Sequence, residues 1–177
     1  GVIGCGRISS VYLAAFKNMP ELEVCFAVDK RVERAKAFSE EFDHCGYSNK
    51  IEDILSQNLD VVHILTPHHL HKEHSIACLN AGFHVLTEKP IAILESDADD
   101  MIEAAKRNGK QLGVIFQNRY IEGIREVKAM IEAGEFGRLT GAFSTLNWWR
   151  PPSYYECDWK GKWDKEGGGV VIDQAIH

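Results

Sequence analysis

The chain has 177 residues, 45% of them hydrophobic and 26% charged, enough for about one well-cored domain and incompatible with wholesale disorder, collagen-like or low-complexity structure. Lys and Arg number 20 against 26 Asp and Glu, a net charge of −6 without a basic block, so nucleic acid and acidic membranes lack electrostatic support as partners and a small polar ligand is favoured. The longest apolar run, residues 11–16, is too short to span a membrane, and the five cysteines contain no C-x-x-C pair, which fits a reducing, cytoplasmic setting without disulfides or thiolate zinc.

Val2-Ile3 reads as the end of an apolar strand entering Gly4-Cys5-Gly6-Arg7-Ile8-Ser9, followed by a helix over residues 9–17. A second strand over 22–28 ends at Asp29, and apolar residues at 32, 35, 38 and 42 predict a helix over 32–42. A short helix over 51–56 precedes a strand over 61–65, which Thr66-Pro67 stops before a helix over 71–81 capped by Gly82. Residues 84–87 form a fourth strand, 97–108 a helix ended by Gly109, and 112–116 a fifth strand. Strands apolar throughout, alternating with helices, predict an α/β fold: a doubly wound parallel sheet of Rossmann type.

After a helix over 121–131 the pattern changes. Residues 139–147 interleave polar and apolar side chains as a strand does, and an aromatic, proline-containing loop and the cluster Gly167-Gly168-Gly169 follow. We expect residues 1–117 to form a dinucleotide-binding domain. Residues 118–177 read as the beginning of a second α/β domain, incomplete because 60 residues rarely make an independent substrate domain, and a chain opening on Gly1 instead of Met has lost its natural start.

The motif Gly4-x-Gly6-x-x-Ser9 suits a dinucleotide. Gly4 makes the tight turn, Gly6 lets a pyrophosphate approach the backbone, and the helix start supplies N–H donors; any glycine-rich strand–helix turn shares the pattern. Asp29, 23 residues beyond Gly6, suits ribose hydroxyls and favours NAD, while Lys30 and Arg31 would accommodate the extra phosphate of NADP. His68, His69, His71 and His74 could hold a metal through His71 and His74, but a loop at a strand's carboxyl end touching the nucleotide is the better account, and no metal is expected.

Glu88-Lys89-Pro90 places an ammonium at the carboxyl edge of the sheet, either on a substrate hydroxyl or in a surface pair with Glu88. Asp173 and His177 are four apart and expected on one helical face, where a carboxylate would orient a general base or simply make a surface pair. All four tryptophans (148, 149, 159 and 163) and Tyr154 and Tyr155 lie within residues 148–163. Faces such as Trp149 stack on sugars and Arg150 reaches a phosphate or carboxylate, although domain and subunit contacts favour the same residues.

In this order the motifs resemble the glucose-fructose oxidoreductase / inositol dehydrogenase (Gfo/Idh/MocA) family. The resemblance rests on residues 1–9, on Thr66-Pro67 with His71, on residues 81–90 ending in Glu-Lys-Pro, and on the terminal G-G-G-x-x-x-D-x-x-x-H. It implies an N-terminal NAD or NADP domain, a C-terminal domain with a large open sheet, and a homo-oligomer, dimer or tetramer. It assigns Gly4, Gly6, Arg7, Ile8, Asp29, Thr66, Pro67, His71, Glu88, Lys89 and Asn118 to the cofactor. Lys89, Asp173 and His177 become the catalytic set, with His177 the base, Asp173 its orienting partner, and Trp149 and Arg150 on the substrate. The implied reaction is hydride transfer between the nicotinamide and a secondary hydroxyl of a sugar, cyclitol or related polyol. An NAD-dependent glycosidase using transient oxidation and a non-catalytic dinucleotide sensor are the alternatives.

Overall fold

The computed structural model describes residues 1–177, which group into two compact units, Gly1–Ile115 and Phe116–His177. In the first, six strands pair in parallel: β1 (Val2–Ile3), β2 (Phe26–Val28), β3 (Gly46–Ser48), β4 (Val61–Ile64), β5 (His84–Glu88) and β6 (Leu112–Ile115). Their order, β3-β2-β1-β4-β5-β6, reverses at β1, so a crevice opens beyond the carboxyl ends of β1 and β4.

Helices cover both faces, as expected of strands that are apolar throughout. Alternation along β1 sends Val2 to a cluster with Ala27, with Phe16 from α1 (Ser9–Lys17) and with Ala35 and Phe38 from α2 (Val32–Ser39). Ile3 goes to the other cluster, with Val28, Val62, Ile64 and Val85, with Ile54 from α3 (Ile51–Leu55), Cys78 and Leu79 from α4 (His71–Asn80), and Ala104 and Ala105 from α5 (Glu95–Asn108). Gly82 (φ 90°) and Gly109 (φ 62°) end α4 and α5 in the left-handed conformation.

In the first unit the largest differences from the sequence reading are two boundaries and one added strand. The second strand is confined to Phe26–Val28, where β3 provides a partner; Leu22 instead closes a turn on Met19. The helix expected to reach Phe42 stops at Ser39, and Phe42 continues as a tight turn bonded to the Ser39 carbonyl. Strand β3 was not anticipated, because Gly-Tyr-Ser carries no apolar signal. It exists through its ladder to β2, and a side chain on Gly46 would strike the Phe26 ring at 2.7 Å.

The second unit contains α6 (Glu122–Glu132), α7 (Trp163–Glu166) and α8 (Val170–Asp173), with 3₁₀ turns at Gln117–Tyr120 and Pro152–Tyr155. The strand expected over residues 139–147 does not form. Alternation alone makes no strand: a ladder partner is required, and no segment of this unit pairs with that run.

Candidate functional site

The glycine turn between β1 and α1 is fixed by different forces at its two glycines. Gly4 has φ 102°, and a Cβ there would lie 2.7 Å from the Leu65 carbonyl carbon, so both conformation and packing demand glycine. Gly6 takes no left-handed φ, and a Cβ there would meet only the Arg34 guanidinium, at 4.0 Å. The fold does not need glycine at Gly6, and the space above the turn is open. The backbone N–H groups of Gly6 and Ile8 donate no hydrogen bond within the chain, although neighbouring Cys5 and Ser9 do. Free donors beside open space at a helix start suit a pyrophosphate. Ser9 is buried and donates to the Gly6 carbonyl at 2.6 Å, while the side chains of Arg7 and Ile8 are exposed.

Asp29 ties this turn to the end of β2. Its Oδ2 accepts from the Cys5 N–H at 2.8 Å and its Oδ1 from the Arg31 N–H at 2.9 Å. An ionised carboxylate keeps further lone pairs after two such bonds, and these are what ribose hydroxyls would use.

Beyond β4, Thr66 and Pro67 are half-buried, and His71 lies deeper. It is fully buried, its Nδ1 2.7 Å from the Pro90 carbonyl and its Nε2 2.8 Å from the Thr66 carbonyl. Through these two contacts His71 staples the loop after β4 to the loop after β5. Burial pushes its pKa down, while the two carbonyls act in the opposite direction. His74 contacts the Thr66 hydroxyl at 3.2 Å, and no three His, Cys, Asp or Glu side chains converge as a metal site.

At the end of β5, both oxygens of Glu88 accept hydrogen bonds, Oε1 from the Tyr12 hydroxyl at 2.7 Å and Oε2 from the Lys89 N–H at 3.1 Å. Burial and this bond to Glu88 raise the Tyr12 pKa, so the phenol remains a donor. Tyr12 holds the carboxylate beside half-buried Lys89, a role its place in an apolar stretch of α1 concealed.

In the second unit, Trp148, Trp149, Tyr155 and Trp163 line a cleft with Arg150 and Asp173. Trp149 is 80% exposed, and the Arg150 guanidinium lies over the Trp148 and Tyr154 rings at 5.1 and 4.9 Å. His177 lines a neighbouring cleft with Asn118 and Arg119, and the two share Trp148 and Gln174.

Asp173 and His177 do not share a helical face. Helix α8 ends at Asp173, and the Val170 carbonyl accepts from both Gln174 and Ala175, the latter a wide closing turn that takes His177 out of the i,i+4 register. Sequence reasoning also missed the partners of Asp173: Lys160 donates to its Oδ1 and Tyr154 to its Oδ2, each at 2.8 Å. Neither lies at helical spacing from Asp173, so only the folded loop reveals them.

The chain is similar to known oxidoreductases over its whole length. The model of an oxidoreductase family with an NAD-binding Rossmann fold matches residues 1–116, and that of the GFO/IDH/MocA C-terminal domain matches residues 124–177. A 1-carboxy-3-chloro-3,4-dihydroxycyclohexa-1,5-diene dehydrogenase of Comamonas testosteroni is 32% identical, covering 100% of this chain and 44% of its own. A myo-inositol 2-dehydrogenase of Thermotoga maritima is 29% identical over 100% of this chain and 51% of its own. The crystal structure of the WlbA dehydrogenase from Bordetella pertussis, in complex with NADH and UDP-GlcNAcA, superposes with a TM-score of 0.93 at 34% identity, over 99% of this chain and 53% of that one. The chain thus spans about half the length of the relatives it matches. With an NAD-type glycine turn, a sheet reversing beside it and family models matching both units, the chain belongs to the GFO/IDH/MocA family of NAD-binding oxidoreductases.

Proposed function

We propose that the protein is an NAD(P)-dependent dehydrogenase acting on a secondary hydroxyl of a sugar, cyclitol or related polyol. The observation that carries this is the pairing of a dinucleotide-type turn at β1 with Lys89 at the carboxyl end of β5 in the same sheet. When bound, the nicotinamide supplies the hydride acceptor or donor. Lys89 donates a hydrogen bond to the substrate oxygen and favours its alkoxide character. His177 takes the hydroxyl proton as general base; Asp173 contributes a fixed negative charge that supports the protonated imidazole.

The cofactor contacts are Gly4, Gly6, Arg7, Ile8, Asp29, Thr66, Pro67 and Glu88, with Asn118 as a further contact, and NAD is favoured because Asp29 opposes a 2′-phosphate. Trp149 and Arg150 receive the substrate, the ring stacking on C–H faces and the guanidinium reading a carboxylate or phosphate. A substrate of that kind accords with the relatives, whose names and contents include a carboxylated cyclohexadienediol, an inositol and UDP-GlcNAcA. Residues 118–177 begin a substrate domain that continues in the full protein, which acts as a cytoplasmic homo-oligomer; the five free cysteines accord with a reducing compartment.

Nicotinamide absorbance tests the proposal on the full-length protein, with NAD and NADP against cyclitols, aldoses and nucleotide sugars, beside Lys89→Ala. Cofactor reduction that disappears in the variant supports a dehydrogenase. Reduction that persists in Lys89→Ala removes Lys89 from the mechanism, and bound cofactor with no reduction by any substrate contradicts the activity.

A further inference from the structure

A cluster of titratable groups in the second unit sets two residues without a role in the mechanism above, Lys160 and Glu166, around Asp173. The side chains of Glu166 and Asp173 are only 4% and 9% exposed, and the Lys160 ammonium lies 2.8 Å from an oxygen of each. The remaining oxygens are also engaged, that of Asp173 by the Tyr154 hydroxyl and that of Glu166 by the Gly161 N–H. The ammonium lies 4.3 Å from the Trp159 ring centroid and 4.9 Å from that of Tyr154, and Arg150 faces the Tyr154 ring at 4.9 Å. Lys160 is therefore held on several sides by groups that favour a cation. Burial works against its charge, but the hydrogen bonds to Asp173 and Glu166 outweigh it and raise its pKa.

Two carboxylates that share one cation depend on it. Without the cation they repel, and one takes up a proton. Two carboxylates and one ammonium give the cluster a formal net negative charge beside the cleft lined by Asp173.

We propose that Lys160 is a positioning residue of the substrate site: by bridging Glu166 and Asp173 it fixes Asp173 in orientation and holds it as a permanent anion, so that Asp173 supplies charge and never a proton. This rests on the reading of Asp173 as part of the site that handles the substrate hydroxyl.

The test uses the full-length protein labelled with ¹³C at aspartate carboxyls, the Asp173 resonance being assigned from Asp173→Asn. In Lys160→Met the Asp173 titration is expected to move up by about one pH unit or more, with the acid limb of the kcat profile moving the same way, and Lys160→Arg is expected to restore both. Glu166→Gln removes the competing carboxylate and keeps the ammonium, so it is expected to move the Asp173 titration down; this variant serves if Lys160→Met fails to fold. An Asp173 titration unchanged in folded Lys160→Met, or moving up in Glu166→Gln, overturns the role of Lys160. If the titration shifts as expected while the wild-type protein oxidises no alcohol, Lys160 keeps its effect on Asp173 charge and the dehydrogenase reading is what fails.

Discussion

The two units bury opposite kinds of side chain. In Gly1–Ile115 the buried residues are mostly apolar and pack in two clusters, one on each face of the sheet. In Phe116–His177 the buried residues are Glu166, Asp173 and Gln174, while Phe143, Trp149, Trp163 and Val171 are between 77% and 94% exposed. The first unit is thus ordered by non-directional burial of apolar surface, which leaves residues at its strand ends at liberty to serve a ligand. In the second, the buried side chains and their neighbours make directed contacts: Lys160 with two carboxylates, Tyr154 with Asp173, and Arg150 over two rings. The clefts of the second should respond to charge and pH, and the glycine turn of the first to shape.

The sharpest test of shape is Gly4→Ala. Its Cβ must enter space held by the Leu65 and Thr66 backbone in a left-handed conformation, so loss of the folded state is expected, seen as absent cooperative melting. Next in size is Lys89→Ala in the full-length protein, where turnover is expected to fall about 10²-fold or more while fluorescence titration shows cofactor affinity within about threefold of wild type. Gly6→Val should do the reverse of Gly4→Ala. Melting within a few degrees of wild type is expected, with at least about tenfold weaker NADH binding, because the added side chain fills only the open space above the turn.

A further effect concerns pH in the first unit. Burial pushes the pKa of His63 from 6.5 down to about 4, between the rings of Tyr12 and Phe16. The unfolded chain therefore binds a proton that the folded chain refuses between these values. The associated stability is complete above pH 6.5 and is lost as pH falls toward 4, by up to about 3 kcal/mol. Urea denaturation at pH 7 and 4.5 should show this loss reduced in His63→Phe; an equal loss in both proteins assigns it elsewhere.

The sequence was most legible where one residue type has one physical reason. Gly4, Gly82 and Gly109 announce left-handed turns, and apolar runs such as that of β4 announce buried parallel strands. Legibility failed where structure depends on a partner. Strand β3 is made by β2, and residues 139–147 alternate correctly yet have nothing to pair with. At the site, Asp29, Lys89 and Asp173 could be picked out by position. The side chains that set their surroundings could not: Tyr12 lies 76 residues from Glu88, and Lys160 lies 13 from Asp173. His71 could be picked out too, but spacing marks a histidine without revealing that two carbonyls occupy its ring.

On this reading the turn at Gly4–Ser9 is a dinucleotide site whose second glycine serves the ligand and not the fold. Titration of NADH into wild type and Gly6→Val, each with its melting curve, tests this most directly. The expected result is saturable binding in wild type, binding weakened at least about tenfold in the variant, and melting temperatures within a few degrees of each other. Equal binding in the two proteins, or a variant that loses its fold along with its ligand, would contradict it.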